Sequence, residues 1–176
     1  MSHRISLAHA SGSLSIFMNY LITFRCYGTW LHGDDRGSVD AQHNQVGEPL
    51  LQPHTGLQRA MRRSLRGEQM VLDAASRTCV ENTIRDVAEH RAWEIQALSV
   101  QTNHVHLVVT AEAAPEKVMS DLKAYATRRL REENLVPPAT PIWSSHGSTR
   151  YLKTSDSLAA ACRYVVESQA DLSDCP

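Results

Sequence analysis

Asn103-His104-Val105-His106-Leu107-Val108-Val109 is the stretch on which the reading of the fold turns. Two histidines one residue apart run into β-branched and aliphatic residues, a composition suited to a strand. Side chains alternate between the two faces of a strand. His104 and His106 therefore share one face, and Val105 and Leu107 point to the other. Two adjacent imidazoles on a rigid strand make half of a divalent-metal site. The same pair also fits a polar, half-solvated sheet face, so the rest of the chain has to decide between the two.

Outward from this strand the pattern is regular. Residues 93–100 predict a second strand with Trp93, Ile95 and Ala97 on one face, and Gln101-Thr102-Asn103 a tight link that makes a hairpin. Upstream, residues 20–27 are rich in β-formers and end at Gly28, which predicts the first strand. A long irregular stretch to about residue 56 follows, the length of a functional loop or a disordered segment. A short helix over 57–66 would align Arg59, Arg62, Arg63 and Arg66 as one basic stripe, either a solvated face or a contact for phosphates. Residues 68–90 read as an amphipathic helix through Val71, Ala75, Cys79, Val80, Ile84, Val87 and Ala88. Downstream, Pro115 opens a helix to about residue 133. A fourth strand over 141–153 carries Trp143 and Tyr151 and is interrupted at His146-Gly147. Thr154 is the N-cap of a last helix over 155–169. The predicted class is α+β: a ferredoxin-like two-layer sandwich, its mostly antiparallel sheet carrying helices on one face.

The 176 residues fit one domain with a proper core. We expect a disordered lead-in over 1–17, with Met18 a candidate start, a catalytic domain over 18–170 and a tail over 171–176. Net charge is −1, so the whole-molecule field makes no case for nucleic acid and only local clusters can. The four cysteines, Cys26, Cys79, Cys162 and Cys175, are far apart with no C-x-x-C pair. They read as small buried hydrophobes of a reduced, cytoplasmic protein. No apolar run approaches the roughly 18–20 residues of a membrane span, and residues 1–17 lack the order of a signal peptide.

Two of the five tyrosines fall in predicted helices, and the helical wheel separates them. Tyr125 shares the apolar face of Val118, Leu122 and Ala126 and is expected in the core. In the last helix the apolar face is Leu158, Ala161, Cys162, Val165 and Val166. Tyr164 lies about 140° from its centre. A tyrosine off the core face of a packed helix is the better candidate for chemistry.

With these residues in place a family resemblance emerges. The His104-Val105-His106 strand, an intervening helix, the segment ending Gly147-Ser148-Thr149-Arg150-Tyr151-Leu152 and a final helix with Arg163-Tyr164-Val165 resemble the single-tyrosine HUH transposases. That group includes the insertion-sequence transposases with one catalytic tyrosine and the REP-associated tyrosine transposases. The resemblance covers about residues 18–170. It implies a metal-dependent nuclease and strand transferase acting on single-stranded or hairpin DNA, commonly as a homodimer. His104, His106 and a polar residue one turn beyond the tyrosine would hold Mg²⁺ or Mn²⁺, and Tyr164 would attack a DNA phosphate. It would leave a 5′-phosphotyrosine and a free 3′-OH. Members usually carry Gln or Asn four residues after the tyrosine. Here Ser168 stands there and Gln169 follows, so Gln169 is assigned on residue type, with Glu167 as the alternative. Since imidazole must be neutral to coordinate, activity is expected to fall as pH drops through about 6.5.

Two other readings compete. One is a water-using hydrolase with zinc on His104, His106 and His146. The other is a DNA-binding relic without turnover. Neither accounts for the placement of Tyr164 off the core face.

Overall fold

A computed structural model describes residues 16–29 and 68–167. The arginine stripe of Arg59, Arg62, Arg63 and Arg66, together with Ser168, Gln169 and Cys175, lies outside these residues. Among the described residues the order is β1 (Met18–Cys26), α1 (Ala74–His90), β2 (Glu94–Val100), β3 (His104–Ala111), α2 (Pro115–Glu132), β4 (Trp143–Leu152) and α3 (Ser155–Glu167). The sheet runs β2-β3-β1-β4, and every neighbouring pair is antiparallel. This is the α+β class and the ferredoxin-like order that the pattern predicts.

The alternation along β1 and β3 divides the sheet into two faces of different character. Tyr20, Ile22, Phe24 and Cys26 of β1 and Val105, Leu107, Val109 and Ala111 of β3 are all buried on one face. They pack against Val80, Ile84 and Val87 of α1 and Val118, Leu122, Ala126 and Leu130 of α2, forming the main core. The opposite face carries Leu21 and Val108, and here α3 lies down through Leu158, Ala161, Cys162 and Val165, joined by Ala97 and Leu152. The two-layer sandwich is thus built by α1 and α2 on one face, while the terminal helix covers part of the other. Val166, expected on the apolar face of α3, is 59% exposed, because the two small residues Ala161 and Cys162 define a narrow contact stripe.

Two local expectations are corrected. Residues 68–73 do not belong to the helix. They run extended, with Met70 and Leu72 buried, and their amides donate to Tyr27 O and Thr102 O at 2.9 and 2.7 Å. Asp73 then caps α1, accepting from Ser76 N at 2.7 Å, and that hydrogen bond holds its carboxyl below the usual range. Trp93, just before β2, and Ile95 within it pack in the main core, but Ala97 sits on the α3 side. A register shift between Ile95 and Ala97 inserts one residue, and a single inserted residue reverses every side chain beyond it. In β4 the irregularity falls where the pattern places it: a register shift sets Gly147 opposite Phe24 and Trp143 opposite Cys26, with His146 among the residues between. The carbonyls freed there are not left bare, since Lys123 Nζ donates to Ser144 O and His146 O at 2.9 and 3.2 Å. Burial in this position lowers the proton affinity of Lys123.

Both helices of the main layer end in the same way. Ala92 and Asn134 take left-handed φ of 54° and 56° just past α1 and α2. The following amides, Trp93 N and Leu135 N, reach back to Ala88 O and Leu130 O at 2.8 and 2.9 Å, which closes off the orphan carbonyls. At the other end of the chain, Thr154 and Ser157 exchange reciprocal caps at 3.1 Å each, so α3 starts at the predicted N-cap.

Gly147 pairs with Phe24 across the β1–β4 ladder. A Cβ there would run into Met119 Sδ and come within 2.6 Å of Thr23 O. Met119 can swing away, but a central-strand carbonyl cannot. Gly147→Ala is therefore expected to destabilise the protein by about 1–3 kcal/mol, read as a lower midpoint in thermal or urea unfolding. An unchanged midpoint would show that β4 moves aside freely.

Candidate active site

On the α3 side of the sheet, three rows of side chains run across the strands. Arg25 stands opposite His104, Thr23 opposite His106, and Leu21 opposite Val108. The residue bulged out of β2 also brings Ser99 beside His106 and Ala97 beside Val108. Leu21, Val108 and Ala97 form the floor on which α3 rests. The histidines occupy the continuation of that floor.

His104 and His106 do lie side by side, as the strand period requires, with ring centroids 4.6 Å apart and planes inclined at 74°. Tyr164 of α3 closes the group. Its ring centroid is 5.2 Å from that of His106 with an interplanar angle of 70°, while the side chain stays 51% exposed. The tyrosine thus has one edge against the histidine and the remainder open to an incoming ligand.

Each imidazole is held by its Nδ1. Thr23 Oγ1 lies 2.7 Å from His106 Nδ1, and Asn103 Oδ1 lies 2.5 Å from His104 Nδ1. Asn103 is itself anchored, since its carbonyl accepts from Cys26 N at 2.8 Å and from the Thr29 hydroxyl at 3.3 Å. On the β2 side of His106, the buried Ser99 hydroxyl accepts from Gln101 Nε2 at 2.7 Å. Imidazoles oriented through a hydrogen bond at Nδ1 are the arrangement in which histidines serve as metal ligands through Nε2. The donor set suits a divalent ion of the first transition row, and Mg²⁺ if oxygen ligands complete the shell.

His106 is only 6% exposed. Burial, aided by the charges of His104 and Arg25, brings its proton affinity down from 6.5 to about 4. The ring is therefore neutral at and well below pH 7. A fall in activity near pH 6.5 would therefore not come from protonation of His106.

Among the described residues no three His, Cys, Asp or Glu side chains come together as a metal site. His146, on the irregular part of β4, therefore does not complete the pair as the zinc reading requires. Glu167 closes α3 as an exposed residue and does not form such a cluster with the histidines either. Tyr125 lies on the other side of the sheet, half-buried against the main core, with the Arg128 guanidinium 5.2 Å over its ring. Tyr20 and Tyr27 also belong to that side, and Tyr151 packs edge-on against Tyr20 at 5.1 Å. Tyr164 is the tyrosine that packs edge-on against His106. Thr23, Asn103 and Ser99 were not singled out from sequence. Asn103 adjoins His104 and could have been, whereas Thr23 and Ser99 become neighbours of His106 only through strand register.

Comparison with known proteins bears on the family and the fold. The model of a family described as IS200-like transposase matches residues 63–165. No curated protein matches the chain. A REP-associated tyrosine transposase solved bound to a REP hairpin shares the fold at TM-score 0.52 and 11% identity, over 94% of this chain and 75% of that one. A candidate transposase from Deinococcus radiodurans R1 aligns at TM-score 0.46 and 18% identity, over 93% of this chain and 98% of that one.

The buried state of His106 has a consequence for stability. Above pH 6.5 the ring is neutral in both folded and unfolded chains. Between 6.5 and about 4 the unfolded chain takes up the proton first, so stability falls as pH falls through this window and levels off below it. Unfolding midpoints measured from pH 7.5 to 3.5 should show this slope in the parent and a shallower one in His106→Gln. Equal slopes would mean that the ring titrates normally in the folded state.

Proposed function

The chain belongs to the IS200-like transposase family, and from that we propose that it cuts and rejoins single-stranded or hairpin DNA. In this reading Tyr164 is the nucleophile, and His104 and His106 hold Mg²⁺ or Mn²⁺. The observation that carries it is the edge contact of Tyr164 with His106, which is itself 4.6 Å from His104. A phenol of the right type, half open to solvent, stands beside two neutral-ligand candidates on a rigid strand.

The chemistry follows from the groups present. A phenol with a pKa of about 10 is a weak nucleophile at neutral pH. A bound divalent ion would polarise the scissile phosphate and stabilise the charge that develops on it. The Tyr164 oxygen forms a bond to phosphorus while the bond from phosphorus to the 3′ oxygen breaks. The phenol proton passes to solvent, and the departing oxygen takes one up as a 3′-OH. Attack of a 3′-OH on the resulting 5′-phosphotyrosine reverses the balance, so the ends rejoin without a nucleotide cofactor. The sheet keeps His104 and His106 in place through this exchange, since strand-borne ligands are positioned more rigidly than loop-borne ones. In the same reading the stripe of Arg59, Arg62, Arg63 and Arg66 contacts the DNA backbone. Gln169 remains the candidate third ligand, and the working unit is a homodimer.

A protein–DNA adduct that survives SDS is the direct measurement. Incubation with a single-stranded hairpin and Mn²⁺ should give the adduct with the parent and with Tyr125→Phe, and none with Tyr164→Phe. The Tyr164 substitution should leave stability within roughly half a kcal/mol of the parent, because it removes one oxygen from a half-exposed side chain. An adduct that persists in Tyr164→Phe would overturn the assignment of the nucleophile.

The histidines are tested separately. His104→Ala and His106→Ala should each abolish strand cleavage by two orders of magnitude or more, on the order of one lost catalytic group. Cleavage at the parental rate by the double variant would remove the metal from the reading while leaving the tyrosine in it.

A further inference from the structure

We propose that Thr23 is a positioning residue: it fixes His106 in the tautomer that carries its proton on Nδ1 and presents the Nε2 lone pair to the site. The metal-facing part of this inference rests on the function proposed above. The tautomer does not.

A neutral imidazole has one N–H and one lone pair, and the partner of one nitrogen decides the role of the other. For His104 the partner is Asn103 Oδ1, a carbonyl oxygen that can only accept, so Nδ1 carries the proton and Nε2 the lone pair. For His106 the partner is the Thr23 hydroxyl at 2.7 Å, which can also accept. Two rings 4.6 Å apart are then set to the same tautomer by two independent partners, one from the hairpin turn and one from the central strand. Ser99, the other hydroxyl flanking His106, accepts from Gln101 Nε2, while the hydroxyl within hydrogen-bond distance of His106 Nδ1 is that of Thr23. Its place is well defended. Thr23 lies mid-strand in β1 between β3 and β4, pairing with His106 on one side and Ser148 on the other, and its carbonyl is one of the atoms that forbid a side chain at Gly147. A threonine whose backbone cannot shift gives its hydroxyl a fixed origin.

The test uses the full chain and has two readouts, of which only the second involves metal. Long-range proton–nitrogen NMR of histidine-labelled protein without metal at pH 7 should show His106 protonated on Nδ1. In Thr23→Val, nearly equal in shape, the proton should move to Nε2, the nitrogen favoured by imidazole without a directing partner. Thr23→Ser should restore the parental spectrum. Calorimetric titration with Mn²⁺ alone should then show affinity falling about 10- to 100-fold in Thr23→Val and recovering in Thr23→Ser. A parent with His106 protonated on Nε2, or a Val variant with the parental tautomer, overturns the inference. A Thr23-dependent tautomer in a parent that binds no Mn²⁺ would uphold the positioning role and bring down the metal reading instead. Parental Mn²⁺ affinity in a Val variant whose tautomer has switched would show that Thr23 does not act on the metal.

Discussion

The two-residue period of β3 is the constraint from which the rest of this molecule follows. Val105, Leu107, Val109 and Ala111 on one side must be covered, and α1 and α2 cover them. His104 and His106 on the other side sit on the same backbone without choice of distance or direction. One rigid strand thus serves as the spine of the core and as the mount of the site. That economy has a cost, because any change of register in β3 would move the histidines and the core residues together. Pairing on both sides, with β1 and β2, is what prevents it.

The charge environment is arranged to match. A buried imidazole beside a second imidazole and a guanidinium gives up its proton affinity, and a ring without a proton on one nitrogen can ligate. The site's character comes from where the sheet puts ordinary groups.

Much of this was legible before the structure. The alternation His104-Val105-His106-Leu107 reports directly on faces, and the wheel of the last helix placed Tyr164 off the contact stripe because Leu158, Ala161, Cys162 and Val165 repeat at helical spacing. Thr154 announced the start of that helix through its chemistry. What stayed hidden depends on pairing between distant segments. Nothing local distinguishes Gln96 as a bulge, yet it reverses Ala97 and Ser99. Thr23 is one β-former among several until the β1–β3 register sets it against His106. The run 68–73 has helix-like spacing, but its amides find strand and turn carbonyls instead. That α3 crosses to the far face is likewise a matter of where the histidine side of the sheet was left uncovered.

The anchoring of α3 carries a dynamic meaning. This helix is held by a small cluster in which two of the five buried members are alanines, while α1 and α2 share a core rich in leucine, isoleucine, valine and aromatic side chains. Free energy of opening tracks the apolar surface that must be wetted, so the α3 layer is the part of the described molecule with the least to lose on lifting off. Its backbone amides should exchange with solvent deuterium through a partial opening that leaves the sheet and the α1–α2 layer closed. Tyr164 therefore rides on a cooperative unit separate from the histidines it faces, and under the proposed function a DNA strand could be admitted or released without unfolding the spine.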